Sequence, residues 1–217
     1  MHRIRFFILF ALLATFIATA PALAQTPVIG FKLGPTFSTW EVGDGDDHDT
    51  SSLTAFGGGG FVRFGHGAIG VQLDVLVVTK GAEAVGFTDG EAEIKLNYIE
   101  VPLQLVLSYG IKKVRPYFMF GPSVGFEIGC GLSVDDDDAD DSEADCDDAG
   151  FFERDDPDFG IVGAVGVNIP LGPGAVLFEA RYTHGMTNIY EESGIDDNEV
   201  KNRSFALFGG YSIPLGF

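Results

Sequence analysis

Apolar and polar residues alternate with a period of two along most of the chain. In NYIEVPLQLVLSY, Ile99, Val101, Leu103, Leu105 and Leu107 fall on one face, while Glu100, Gln104 and Ser108 fall on the other. In RPYFMFGPSVGFEIG, Phe118, Phe120, Val124, Phe126 and Ile128 alternate with Tyr117, Met119, Ser123, Gly125 and Glu127. Successive strand side chains point to opposite sides, so each run predicts a strand with one apolar and one polar face. Eight such runs occur: Val28–Trp40, Thr54–Phe64, Ala68–Lys80, Glu93–Tyr109, Val114–Gly129, Asp158–Ile169, Ala175–Tyr190 and Asn202–Ile213.

The connections between them are of two kinds. Those after the second, fourth and sixth runs are short and marked by glycine or proline: Gly65 to Gly67, Gly110 to Lys113 and Pro170 to Gly174. Those after the first, third, fifth and seventh are longer and acidic. An even number of strands with short turns at one end and long loops at the other fits a closed up-and-down antiparallel barrel. Closure also removes the exposed edges that an open sheet would present. Runs of eleven or more residues exceed the roughly 9 to 11 that a tilted strand needs to cross a bilayer.

The acids then sort themselves. Glu41, Asp44, Asp46, Asp47 and Asp49 belong to the first long connection, and Glu83, Asp89, Glu91 and Glu93 to the second or its edge. Fourteen lie between Asp135 and Asp158, and Glu191, Glu192, Asp196, Asp197 and Glu199 occupy the fourth. Only Asp74, Glu100, Glu127 and Glu179 remain, each on the strand face opposite the apolar residues, a face shared by Lys32, Arg63 and Arg181. An eight-stranded barrel is just wide enough for side chains to fill. These seven charges are therefore expected to interlock as a lumen network, because a buried charge left without a partner costs about 3 to 5 kcal/mol. A proton or solute path is the other use such intramembrane charges can have.

Parity alone does not say which face is outside. A soluble ligand carrier would turn the apolar face inward, but Phe118, Phe120, Phe126, Phe178 and Tyr182 would then overfill the lumen of a small barrel. The opposite face offers Gly30, Gly34, Gly121, Gly125, Gly160 and Gly166, which suits a narrow, crowded interior. The expectation is an all-β, eight-stranded transmembrane barrel with its apolar face in the lipid bilayer.

The chain opens with Arg3 and Arg5, an apolar run from Phe6 to about Ala20, and Ala22-Leu23-Ala24. That order is the grammar of a secretory signal, predicting residues 1–24 as a signal peptide and 25–217 as the barrel domain. A membrane anchor would need about 20 apolar residues. Without Arg3 and Arg5 the chain has 11 basic against 32 acidic residues, a net formal charge of −21, so nucleic acid is not expected as a partner. Export also bears on the two cysteines. Cys130 and Cys146 bracket about fifteen residues, and a disulfide between them would stabilise by about 3 kcal/mol in the chain-entropy view; two free thiols are the alternative.

The stretches VIGFKLGPTFS, YIEVPLQLVLSY, RPYFMFGPSVGF, DFGIVGAVGV, FEARYTHGMTNI and NRSFALFGGYS span nearly the whole chain after the signal. In these the sequence resembles the bacterial outer-membrane β-barrel domain family that includes PorT-like proteins, loosely called the porin family. The resemblance implies an outer-membrane location but identifies no activity; an export-machinery component, such as some relatives suggest, belongs with the alternatives. Phe217, with Leu215, Ile213 and Tyr211 alternating behind it, resembles the terminal signature of outer-membrane barrels. Pro214 departs from it, since proline cannot donate to a ladder, and predicts that the last strand stops near Ile213.

No catalytic set emerges. His48 lies in an acidic loop, His66 in a turn, and His184 on the outward face near Phe178 and Tyr182, where it suits an interfacial aromatic belt. Ser123 and Glu127 face inward without a histidine, so no triad is expected and no enzyme. Carboxylates on flexible chain are what Ca²⁺ favours, and Asp135, Asp136, Asp137 and Asp138 are the candidate tract for weak binding. The order of acids lacks the EF-hand pattern, and the alternative is a solvated, self-repelling loop. No other cofactor is expected. Partners are the outer-membrane bilayer and surface or periplasmic proteins. A structural or surface-interaction role follows, with a small channel or transport component as the alternative.

Overall fold

The structure, a computed structural model, describes residues 27–42, 51–87, 90–110, 114–135, 142–145, 157–187 and 200–215. Nine strands occur among them: β1 (Val28–Val42), β2 (Ser51–His66), β3 (Ile69–Phe87), β4 (Gly90–Ser108), β5 (Arg115–Asp135), β6 (Ser142–Asp145), β7 (Asp158–Leu171), β8 (Gly174–Gly185) and β9 (Val200–Pro214). Each barrel strand pairs antiparallel with its sequence neighbour, β5 with β7 across the short β6, and β9 returns to β1. The result is a closed eight-stranded barrel, with β6 a four-residue addition paired to β5 at Gly131 to Val134. Closure gives every barrel strand two partners, which a lipid environment demands because no water is there to bond a free edge.

The two faces separate cleanly. In β1, Phe31 is 54% exposed and its neighbour Lys32 only 1%. The same alternation runs through β3, where Leu73, Val75 and Val77 are exposed and Gln72, Asp74 and Leu76 are buried. Phe118, Phe120, Phe126, Phe178 and Tyr182 all stand on the exposed face. Apolar residues outside and polar residues inside are the pattern of a barrel solvated by lipid.

The short turns join β2 to β3, β4 to β5 and β7 to β8, and both ends of the barrel chain, Val28 and Pro214, pair at that same end. Gly67 and Gly172 carry positive φ values of 66° and 61°, a conformation that excludes most side chains, so these turns can be tight. At the other end the strands are unequal. β3 and β4 each run 19 residues and β5 runs 21, against 12 in β8. The alternation called for strands ending at Lys80 and beginning at Glu93, yet pairing continues from Gly81↔Lys95 to Phe87↔Gly90. Glu83 and Glu91 therefore sit on a paired hairpin rather than in a loop, and Glu93, expected at the strand's edge, lies within it. The reason is that a ladder needs only backbone groups, and above the membrane either face of the hairpin can be polar. Conversely, the run expected to reach Tyr190 ends at Gly185, and the last strand extends one residue past Ile213, to Pro214.

Within the lumen two small apolar clusters pack above and below the charges. One joins Leu76, Val78, Leu96, Tyr98, Ala206 and Phe208; the other joins Val106, Tyr117, Met119 and Ala164. Gly30 and Gly166 make room for rings: a Cβ at Gly30 would collide with the ring of Phe61, and one at Gly166 with the ring of Tyr117. These two inward glycines are thus the space into which Phe61 and Tyr117 lie.

Val75 is lipid-facing and adjacent in β3 to the lumen residue Asp74, so a charge there meets the hydrocarbon core. Val75→Arg is expected to cost about 2 to 4 kcal/mol of folding free energy in lipid vesicles, measured by urea unfolding. An effect near zero would place Val75 outside the bilayer.

Candidate functional site: the lumen charge network

Four charged side chains meet in the middle of the lumen. Lys32 on β1 donates to Asp74 Oδ2 at 2.9 Å and to Glu179 Oε1 at 2.8 Å. Arg181, two residues beyond Glu179 on the same face of β8, donates through Nε to Glu179 Oε1 at 3.0 Å and through Nη2 to Asp74 Oδ2. All four are at most 3% exposed. Two cations face two carboxylates, so the cluster is neutral as a unit. Neutrality is what makes such burial tolerable, because desolvating an unmatched charge costs several kcal/mol.

The remaining lone pairs are also used. Asp74 Oδ1 accepts from Gln72 Nε2 at 2.6 Å, and Glu179 Oε2 accepts from the Tyr117 hydroxyl at 3.0 Å. Gln104 Oε1 accepts from Arg181 Nη2 at 3.1 Å. Each carboxylate oxygen of the cluster thereby holds at least one donor. Lys32 has room because its cross-strand partners on the lumen face are Gly59 of β2 and Gly210 of β9. Aromatic faces complete its surroundings, with Phe61 at 5.6 Å and Phe208 at 5.7 Å from the ammonium, distances at which a cation is attracted to the ring.

A second layer lies toward the long-loop end. Lys80 is 3.7 Å from both Glu100 Oε1 and Asp158 Oδ2, and its ammonium sits 5.0 Å from the ring centre of Tyr98. Ser123 donates to Glu100 at 3.0 Å, and Asn202 Nδ2 to Asp158 at 3.4 Å. A third layer lies toward the short turns. Arg63 donates from Nε to Gln72 Oε1 at 2.7 Å, and its guanidinium stacks 5.0 Å from Tyr117 and 5.7 Å from Phe61. Through Gln72 and Tyr117 this layer is hydrogen-bonded to the central one.

Of the seven charges singled out from the sequence, Lys32, Asp74, Glu179 and Arg181 meet directly. Arg63 joins through Gln72, and Glu100 belongs to the upper layer. Glu127 is half-buried higher on β5, near the register shift between Asn97 and Tyr98 of the facing strand, away from the central four. Sequence reasoning missed Lys80 and Asp158. Lys80 shares the parity of Asp74, which was the available signal, but as the last residue of its run it was left out of the lumen charges. Asp158 was counted with the acidic loop although it opens β7. The aromatics Phe61, Tyr98 and Phe208 were also missed as cation partners; Tyr98 and Phe61 each stand two positions from a lumen charge.

The other candidate residues fall at the margin of what is described. The backbone of Cys130 pairs with Leu96 in the β4–β5 ladder, and Cys146 lies outside the described residues. Asp135 closes β5, whereas Asp136, Asp137 and Asp138 lie outside them. His184 is on the outward face of β8, as its alternation with buried Thr183 and Gly185 requires.

Removing one member of the central cluster strands its partners. Asp74→Asn is expected to destabilise by about 3 to 5 kcal/mol in urea unfolding. Adding Lys32→Met to it restores neutrality, so the double variant should lose less than the two single losses combined. Strict additivity would show that the two charges are not coupled.

The chain matches the family model for the outer membrane protein beta-barrel domain over residues 10–212. No curated protein matches it. Among solved structures it is similar to neisserial surface protein A at 14% identity, covering 86% of this chain and 96% of that one, with a TM-score of 0.44. It is also similar to Ail, the attachment invasion locus protein of Yersinia pestis, at 15% identity, covering 86% and 98%, with a TM-score of 0.42. A third is outer membrane protein W of E. coli, at 16% identity, covering 87% and 99%, with a TM-score of 0.43. With the family model spanning nearly the whole barrel, the protein belongs to the outer membrane β-barrel domain family and resides in the outer membrane.

Proposed function

We propose that the protein is a closed scaffold of the outer membrane that presents acidic, disulfide-tied loops to the cell exterior, acting in structure or surface interaction rather than in catalysis. What supports this reading above all is the filled lumen. Three layers of paired or stacked charge, the lower two joined by Gln72 and Tyr117, and two apolar clusters leave side chains where a pore would have water. Short turns at one end and long connections at the other assign the first to the periplasm and the second to the outside. The acids of the long connections then create a strongly negative rim, which attracts cations and basic partner surfaces through its long-range field.

A non-catalytic role agrees with the placement of the polar groups. Ser123 faces the lumen and is engaged by Glu100, while His184 faces outward, so these two do not meet as nucleophile and base. The narrower kinship with PorT-like barrels rests on the six sequence stretches that resemble them.

In planar lipid bilayers the purified protein is expected to give no stepwise current at moderate potentials. Reproducible single-channel openings would overturn the closed-scaffold reading in favour of a small channel. Intact-mass measurement of the exported protein should give a chain beginning at Gln25 and lacking two cysteine hydrogens. Retention of Met1, or alkylation of two thiols without reductant, would remove the signal peptide or the bridge respectively.

A further inference from the structure

Between the central and upper charge layers lies a cavity of about 10 Å³, room for one water-sized molecule. Thr36, Lys80, Glu100 and Arg181 are among the residues that line it. Two buried polar atoms of this lining have no hydrogen-bond partner among the described residues: Thr36 Oγ1 and Arg181 Nη1. Both residues are nine-tenths buried or more, at 3% and 2% exposure, so bulk water does not serve them. Lys80 adds a second cationic donor, because its two carboxylate neighbours stand at 3.7 Å, beyond hydrogen-bond length. A buried donor or acceptor left unmade costs about 1 to 3 kcal/mol.

We propose that this cavity is a binding site for a single water molecule that accepts from Arg181 and Lys80 and donates to Thr36 and Glu100. The donor and acceptor count selects the occupant. Two donors and two acceptors around one small space complement the two lone pairs and two hydrogens of water. A halide could use the two cationic donors and the Thr36 hydroxyl, but it would face the Glu100 carboxylate with like charge and no proton to offer it. Charge balance points the same way: Lys32, Arg63, Lys80 and Arg181 stand against Asp74, Glu100, Glu179 and Asp158. The lumen already neutralises these eight, so an added ion would unbalance it. The bound water joins the upper layer to the central one and makes the three layers a single hydrogen-bonded column.

Magic-angle-spinning NMR of the protein in lipid vesicles tests this through magnetisation transfer from water to the Arg181 side-chain nitrogens. A cross-peak from a slowly exchanging water is expected in the wild type. It should lose most of its intensity in Thr36→Val, which keeps the shape and removes the acceptor, while heat-modifiable migration reports that the variant still folds. Absence of the wild-type cross-peak, or an undiminished one in folded Thr36→Val, would sink the proposal. Crystals grown with bromide give an independent readout: solvent density without anomalous signal in the cavity supports water, and an anomalous peak there replaces it with an anion.

Discussion

Everything in this molecule depends on keeping charge neutral inside a tube whose outside is hydrocarbon. Lipid accepts no hydrogen bonds, so the polar face of each strand has only the lumen to occupy. The lumen of eight strands is narrow, so whatever enters it must be matched there. Lys32, Asp74, Glu179 and Arg181 meet that demand with two cations and two carboxylates, every carboxylate oxygen holding a donor. Around them Gln72, Gln104 and Tyr117 spread the bonding over further strands, and glycines opposite the largest side chains make the necessary room.

Two kinds of interaction thus hold the barrel, and they act at right angles. Backbone ladders join neighbours around the circumference, and lumen side chains join strands across the diameter. Proline apart, the ladders use groups that every residue carries, which is why β3, β4 and β5 continue upward through segments rich in glutamate and glycine. The cross-lumen contacts are specific, and they fix which residues may stand at mid-height.

Much of this was legible in the sequence because a barrel in lipid obeys one simple rule, alternation, for most of its length. Strand number, the sign of the two faces and the membership of Lys32, Asp74, Glu179 and Arg181 all follow from parity. Parity ceases to be informative where the wall leaves the membrane, since either face may then be polar; hence the unexpected extent of the β3–β4 hairpin. It also fails to rank residues on one face. Glu100, Glu127 and Arg63 share the parity of the central four but lie at other heights, and height depends on strand tilt and register, which no local pattern encodes. Lys80 and Asp158 were hidden for a related reason: each stands at the limit of its alternating run, where parity has too few neighbours to assign a face.

The Lys32 to Glu179 contact joins residues 147 positions apart, one on the first strand and the other on the eighth of nine in chain order. No partial barrel containing only the leading strands can bring that carboxylate to the lysine. A half-assembled sheet therefore leaves the ammonium with Asp74 of β3 alone, and its second carboxylate comes only when the trailing strands arrive and the circle shuts. The four-membered cluster thus closes only with the circle, because β8 brings both Glu179 and Arg181 to the pair that β1 and β3 already hold.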